Sequence, residues 1–413
     1  MNLLKTDERR PELRKWNDCK GFCDTPLREV VVNSIAIFIF IDAMGWEIIK
    51  DRSFLKDVLP HRFRVGMQFG YSSTAIPTIL SGEKPTVHKH LSFYYYAPDR
   101  SPFKLMRYLG LGLLPSSVAD RWRVRHMLSK VVARYHGFTG YFEMYAMPFS
   151  RIHLFDYIEK TDIFVPGGLY PVKNIADVLE ERRIPYHISN WRLQEIQNIE
   201  ALIQDLRRGE IRFAFLYTAA MDGLLHRVTK TGPEVDDKMD WYEKQIRRVL
   251  KEAEASYQDT YVAVFSDHGM TTLAGVTDVK NEVERVGAKF GKDYAAVYDS
   301  TMARFWFFHE DSKQLILERL SSIPHAHILN DRELKQYRVD FDDHMYGETF
   351  LLMDPGWQIE PCDMGLKALP GMHGFAPEHD DSYAALLSSE PPGMEMKCVD
   401  DYFRLMVSHM RCK

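Results

Sequence analysis

Apolar residues gather along the chain in three nearly unbroken blocks. VVVNSIAIFIFI (30–41), IRFAFLYTAA (211–220) and TYVAVFS (260–266) are rich in β-branched and aromatic residues and show little polar alternation. That pattern predicts strands buried on both faces, as in the interior of a parallel sheet. Around these blocks the period changes. IADVLEERR (175–183), IEALIQDLRRG (199–209) and KMDWYEKQIRRVLKEAEASY (238–257) place apolar residues at helical spacing, with charges elsewhere. Strands alternating with amphipathic helices predict an α/β fold with a doubly wound, mostly parallel central sheet flanked by helices. In such sheets ligands collect at the carboxyl ends of the strands.

Two stretches break the rhythm. Residues 91–162 contain LSFYYYAP, FKLMRYLGLGLLP, the basic run RWRVRHMLSKVVARYHG and the aromatic GFTGYFEMYAMPF. They read as an inserted, mainly helical cap. Residues 271–340 read as a smaller, mixed insertion, after which GETFLLMDPGW (347–357) looks like a return to strand and turn. The expected organisation is an N-terminal extension over 1–29, a first part of the core over 30–90, the cap over 91–162, and a second part of the core over 163–413.

Composition narrows the class. A chain of 413 residues suits one large α/β unit with insertions, or two domains. Its net charge of −5 argues against a stable nucleic-acid partner, although local basic patches are compatible with it. The five cysteines, Cys19, Cys23, Cys362, Cys398 and Cys412, are odd in number and sparse, so no disulfide framework is expected. Cys19 and Cys23 read as two unrelated thiols rather than a zinc pair. The opening MNLLKTDERRPELRKW has no apolar core of a signal peptide, and VVVNSIAIFIFI is too short to cross a bilayer. A cytoplasmic placement is therefore expected.

Polar residues cluster where the apolar blocks stop. Asp42 follows FIFI, Asp222 and His226 sit in MDGLLH after FAFLYTAA, Asp267 and His268 end VAVFS, and His373 lies in GMHGF. Three carboxylates and three imidazoles without a thiolate suit Zn²⁺ and tolerate Mn²⁺ or Fe. Asp222 and His226 are four apart, so one helical turn aims both at a single ion. Gly269 lets the backbone turn closely after His268. Singly, each feature has a bland reading: a capped turn, a surface ion pair, a loop histidine. Jointly, the carboxylates closing or following apolar strands point to one rim of one sheet. The hydroxyl run Ser72, Ser73 and Thr74 precedes AIPTILSG at a loop-to-helix junction, where a helix N-terminus favours an anion. An ordinary helix cap is its alternative reading.

In this order, these motifs resemble the alkaline phosphatase superfamily, and most closely its type I phosphodiesterase/nucleotide pyrophosphatase branch. The resembling features are Asp42, the SST run ahead of Ser81–Gly82, Pro85 and His88 in P-x-x-H, Asp222 with His226, the SDHGM around Asp267 and His268, and His373 in G-x-H-G. They span residues 35 to 380. The resemblance implies a metal-dependent hydrolase of a phosphodiester or pyrophosphate bond. Its spacing from Gly82 implies Ser72 as nucleophile, with Ser73 and Thr74 as fallbacks. It also implies two divalent metal ions, zinc first among them. One would be held by Asp222, His226 and His373. The other would be held by Asp42, Asp267, His268 and the Ser72 oxygen. Three departures stand out: Ala75 replaces the family's Asn, His88-Lys89-His90 replaces H-G-I, and the x-P-x-R that follows a sulfatase nucleophile is absent.

The cap is expected to select the substrate. Arg100, Lys104, Arg107, Arg121, Arg123, Arg125, Lys130 and Arg134 face one acid, Asp120, over residues 100–136. This excess suits a solvated helix face, an entrance for an anionic phosphorylated small molecule, or a peripheral contact with lipid head groups. Phe93, Tyr94, Tyr95, Tyr96, Tyr141, Phe142 and Tyr145 suit cap core or a stack on a base. Two other functions fit the same residues. One is a phosphomonoesterase with Arg227 as a second clamp. The other is a non-catalytic protein binding an anionic ligand or a membrane surface.

Overall fold

The computed structural model describes residues 33–108 and 121–410. Its central sheet has six strands in the order His61–Val65, Ala384–Ser388, Asp259–Phe265, Ser34–Ile41, Phe213–Thr218, Tyr186–Ile188. The last four are mutually parallel, and Ala384–Ser388 runs antiparallel to both its neighbours.

The unbroken apolar blocks have a direct cause. In Ser34–Ile41, Ile35, Ile37, Ile39 and Ile41 enter one core, while Ala36, Phe38 and Phe40 enter the other. A strand alternates its side chains between faces, so a sheet covered twice needs apolar residues at every position. The first face is covered by helices Glu195–Arg208, Ala220–Val228 and Pro233–Ser256. The second is covered by helices Ser72–Ser81, Ile175–Glu181 and Asp401–Ser408. Burial of these faces is what holds the three layers together, at roughly 25 cal/mol per Å² of apolar surface.

Register brings the chemistry to one edge. Ile41 pairs with Thr218, and Phe40 with Phe265, so Asp42, Ala219 and Ser266 leave the sheet together. The backbone N–H of Asp42 still donates to the Thr218 carbonyl at 3.0 Å, which fixes its position at the strand end.

The two insertions pack on each other. Residues 271–340 open a four-stranded antiparallel sheet in the order Tyr294–Tyr298, Met302–Phe307, Thr349–Met353, Ala326–Ile328. The FLLM stretch, expected as strand and turn, is the third strand of this second sheet, pairing with Met302–Phe307. The cap contributes the antiparallel pair Tyr94–Tyr96 and Phe155–Tyr157 and the 15-residue helix Trp122–His136. Tyr94, Phe103, Met144, Phe155 and Tyr157 of the cap share a core with Ala295, Val297 and Trp306. Cys19, Cys23, Cys412 and Asp120 lie outside the described residues; Cys362 and Cys398 are free thiols.

A buried ion pair joins the insertions. Arg304 is fully buried, with Nε 2.9 Å from Asp299 Oδ2. Its other nitrogens donate to the Tyr94 carbonyl and the Ser92 hydroxyl, both at 3.0 Å. Removing the guanidinium would strand the Asp299 carboxylate in the interior. Arg304→Ala is expected to lower unfolding stability by about 3–5 kcal/mol, read as a fall in the urea midpoint. An unchanged midpoint would contradict this role.

Candidate active site

The site forms where four chain segments meet at the carboxyl edge of the central sheet. Asp42 ends the first strand, and Asp267 and His268 follow the Asp259–Phe265 strand. Asp222 and His226 share one face of helix Ala220–Val228, four residues apart as the spacing requires. His373 arrives by a different route. The two-residue strand Gly371–Met372 pairs antiparallel with Thr271–Thr272, just beyond His268. The His268 and His373 rings then stack, with centroids 3.7 Å apart.

Close backbone approach makes Gly269 necessary. A Cβ there would lie 2.3 Å from the Asp381 carbonyl oxygen. Gly374 needs both space and conformation: its φ is +91°, and a Cβ would lie 2.7 Å from the Tyr71 ring.

Ser72 is the first residue of helix Ser72–Ser81. Its Oγ is 3.1 Å from His268 Nε2 and 3.5 Å from Asp42 Oδ1. Ser73 and Thr74 are buried, and both hydroxyls turn to the Leu91 carbonyl instead. Of the three hydroxyls in the run, Ser72 is the one that faces the carboxylates.

The imidazoles are aimed by backbone carbonyls. His268 Nδ1 donates to Gly269 O, and His226 Nδ1 to Gly371 O, each at 2.8 Å. A carbonyl only accepts, so the proton sits on Nδ1 and leaves the Nε2 lone pair free. His268 Nε2 then lies 3.2 Å from Asp267 Oδ2, and His226 Nε2 lies 3.3 Å from Asp222 Oδ1. A lone pair facing a carboxylate oxygen is repulsive unless a proton or a cation stands between them.

The carboxylates show the same deficit of positive charge. Asp267 Oδ1 accepts from the Ala43 and His268 backbone N–H groups, while its Oδ2 has no hydrogen-bond partner. Asp222 Oδ1 and His373 Nδ1 are likewise buried without one. Burial pushes the Asp267 pKa up to about 7. Burial, and then the Asp267 and Asp222 charges, push Asp42 well above the usual carboxylate range. Burial opposes ionisation of Asp222, yet the adjacent His226 imidazole, in its doubly protonated form, holds it below that range. Burial and the neighbouring His268 depress His373, which keeps it in the neutral, ligating form.

Two groups of potential ligands result. Asp42, Asp267 and His268 form one, and Asp222, His268 and His373 form the other, with ligand atoms in each group within 4.8 Å of one another. His268 is common to both, whereas sequence reasoning gave it to one ion. His226 belongs to neither triplet but touches Asp222. The unpartnered atoms and this donor set fit a pair of divalent cations.

Several supporting residues escaped sequence reasoning. Tyr217 donates to Asp42 Oδ2 at 2.7 Å, leaving Oδ1 turned toward Ser72. Its signal was a polar tip in an otherwise apolar strand. Tyr71 immediately precedes Ser72. Its hydroxyl lies 2.8 Å from Thr301 Oγ1 and accepts from the Thr301 N–H at 3.1 Å. Thr301 Oγ1 in turn donates to the Gly374 carbonyl. This chain ties the nucleophile helix to the His373 loop. In the departing H-K-H segment, Lys89 adopts a left-handed φ of 68°, the conformation a glycine would take there. His88 Nε2 lies 3.0 Å from Thr78 Oγ1. Arg227, the candidate second clamp, is exposed.

Comparisons with known proteins identify the fold and the family. Human ectonucleotide pyrophosphatase/phosphodiesterase 5 superposes with a TM-score of 0.63 at 12% identity, over 91% of this chain and 94% of that one. An inactive variant of the murine protein, in complex with AMP, gives 0.64 at 12% identity over 92% and 96%. At such identity these structures establish the shared fold. No curated protein sequence matches the chain. The family model described as type I phosphodiesterase/nucleotide pyrophosphatase matches residues 36–376, which include every site residue named above. The chain therefore belongs to the type I phosphodiesterase/nucleotide pyrophosphatase family of hydrolases.

Proposed function

We propose that the chain hydrolyses a phosphodiester or pyrophosphate bond in an anionic phosphorylated small molecule, through a phospho-serine intermediate on Ser72. The observation that carries this reading is the Ser72 hydroxyl facing two unneutralised ligand groups at a helix N-terminus. Two divalent cations, zinc by the character of the ligands, would neutralise the acids, ease deprotonation of the serine and screen the phosphoryl oxygens.

The chain's own residues set the geometry. Tyr217 holds Asp42, and the Gly269 and Gly371 carbonyls hold the His268 and His226 rings. The Ser72 hydroxyl gives its proton to solvent, and its Oγ forms a bond to phosphorus as the bond to the leaving oxygen breaks and that oxygen departs, taking up a proton from water. Water then cleaves the Oγ–P bond and restores the hydroxyl. The first N–H groups of a helix lack intrahelical acceptors, so those at the start of Ser72–Ser81 can bind the phosphoryl oxygens that the family's Asn would hold. Ala75 offers no side-chain donor for that task.

A nucleotide is the favoured substrate type. The inactive variant of the structurally similar murine protein is in complex with AMP. In this chain Tyr141 is 40% exposed and packs beside Phe93 and Trp191, with ring centroids 5.7 and 6.0 Å away. Such a wall can stack on a base. Tyr94 and Tyr95, by contrast, are buried as cap core.

Ser72→Ala is expected to reduce hydrolysis of bis(p-nitrophenyl) phosphate by about 10³-fold or more, with metal content by elemental analysis retained. Chelation is expected to abolish turnover, and Zn²⁺ to restore it. Undiminished turnover after chelation would reject the metal-dependent reading. Tyr71→Phe tests positioning: kcat is expected to fall by about tenfold to a hundredfold with KM little changed. A rise in KM alone would assign Tyr71 to substrate binding instead.

A further inference from the structure

We propose that the cap helix Trp122–His136 and the adjoining turn form a docking surface for an anionic lipid membrane. This goes beyond the hydrolytic reading and does not depend on it.

The helix presents three faces. Arg125 and Ser129 are buried, Arg125 donating to the Tyr145 and Met147 carbonyls at 2.9 and 2.8 Å. Arg125 is thus a structural residue rather than part of a basic entrance. Arg123, Lys130 and Arg134 are exposed and, at intervals of seven and four, lie on one stripe. Met127, Val131 and Tyr135, at intervals of four, form the next stripe, exposed by 59, 60 and 74%. Trp122 at the helix start is 67% exposed. His136 Nε2 lies 3.1 Å from the Pro102 carbonyl, which brings the 101–108 turn to the helix end. That turn adds Leu105 at 61% and Tyr108 at 79%, with Lys104 and Arg107 exposed beside them.

The concentration is the argument. Six of the seven most exposed large apolar side chains among the described residues lie on this one helix and turn. Scattered exposed apolar residues need no explanation, but a contiguous patch does. Basic side chains flank this patch on a protein whose formal net charge is −5. Apolar, aromatic and cationic residues side by side on a surface helix match the chemistry of a lipid interface. There the apolar stripe enters the acyl boundary, tryptophan and tyrosine sit at head-group level, and lysine and arginine meet anionic head groups. An apolar protein partner would not call for the basic stripe. Among the described residues no helix is long and apolar enough to cross a membrane, so the contact would be peripheral.

The test is co-sedimentation of the full-length protein with phosphatidylcholine vesicles, with and without phosphatidylserine. Binding is expected only with phosphatidylserine and should weaken as salt rises. Each basic side chain removed should lower the partition coefficient about fivefold. The triple variant R123E/K130E/R134E should therefore lose about a hundredfold or more. M127S/V131S/Y135S should also lose binding at fixed salt. Both variants should keep the wild-type circular-dichroism spectrum and urea midpoint, which shows that they fold. Failure of the wild-type protein to bind anionic vesicles would overturn the proposal, as would binding unaffected by both variants. A concentration-dependent dimer in sedimentation velocity, abolished by M127S/V131S/Y135S and without vesicle binding, would assign the patch to a second copy of the chain and equally overturn it.

Discussion

Electrostatic repulsion among buried acids governs this structure. Asp42 and Asp267 sit within a few ångströms of one His268 nitrogen, nearly sealed from water, and Asp222 lies close by. Bringing such charges together costs several kcal/mol per ion unless something positive joins them. The surrounding protein supplies it only in part, through Tyr217 on Asp42, two backbone N–H groups on Asp267 and His226 on Asp222. The neighbouring imidazoles, when neutral, offer lone pairs, because backbone carbonyls hold their protons on the far side. Folding therefore gathers acids and imidazoles into a cluster whose charge a proton or a cation can balance.

The sheet exists to impose that geometry. Three parallel strands, buried on both faces, end in register, so Asp42 and Asp267 cannot separate without breaking the ladder. Apolar cores on both faces hold the strands rigid. The Gly371–Met372 strand then anchors His373 against the segment that carries His268. Tyr71 and Thr301 link the nucleophile helix to the same loop. The segments outside the central sheet are built differently. They are insertions joined to one another through the buried Arg304–Asp299 pair and a shared aromatic core.

What the sequence disclosed follows from interaction range. Local patterns carried the strands, the helices and the strand-end acids, because two-faced burial and helical spacing are written in consecutive residues. The Asp222–His226 pair was legible for the same reason. Contacts between distant segments were not. That Tyr217 would hold Asp42 depends on which strands neighbour each other. That His268 would serve both ligand groups depends on the antiparallel arrival of Gly371–Met372. Thr349–Met353 reads as a strand, but which sheet it joins is not written along the chain. The hydroxyl run showed three candidates, and only the tertiary placement of Leu91 separates Ser72 from Ser73 and Thr74.

The central claim is that this cavity holds a pair of cations. Anomalous diffraction from crystals grown with Zn²⁺, recorded at the zinc edge, tests it most directly. The account predicts two peaks per chain, one among Asp42, Asp267 and His268 and one bridging Asp222 and His373. A map with no peak at this edge of the sheet, from crystals that still hydrolyse a soaked diester, would contradict it.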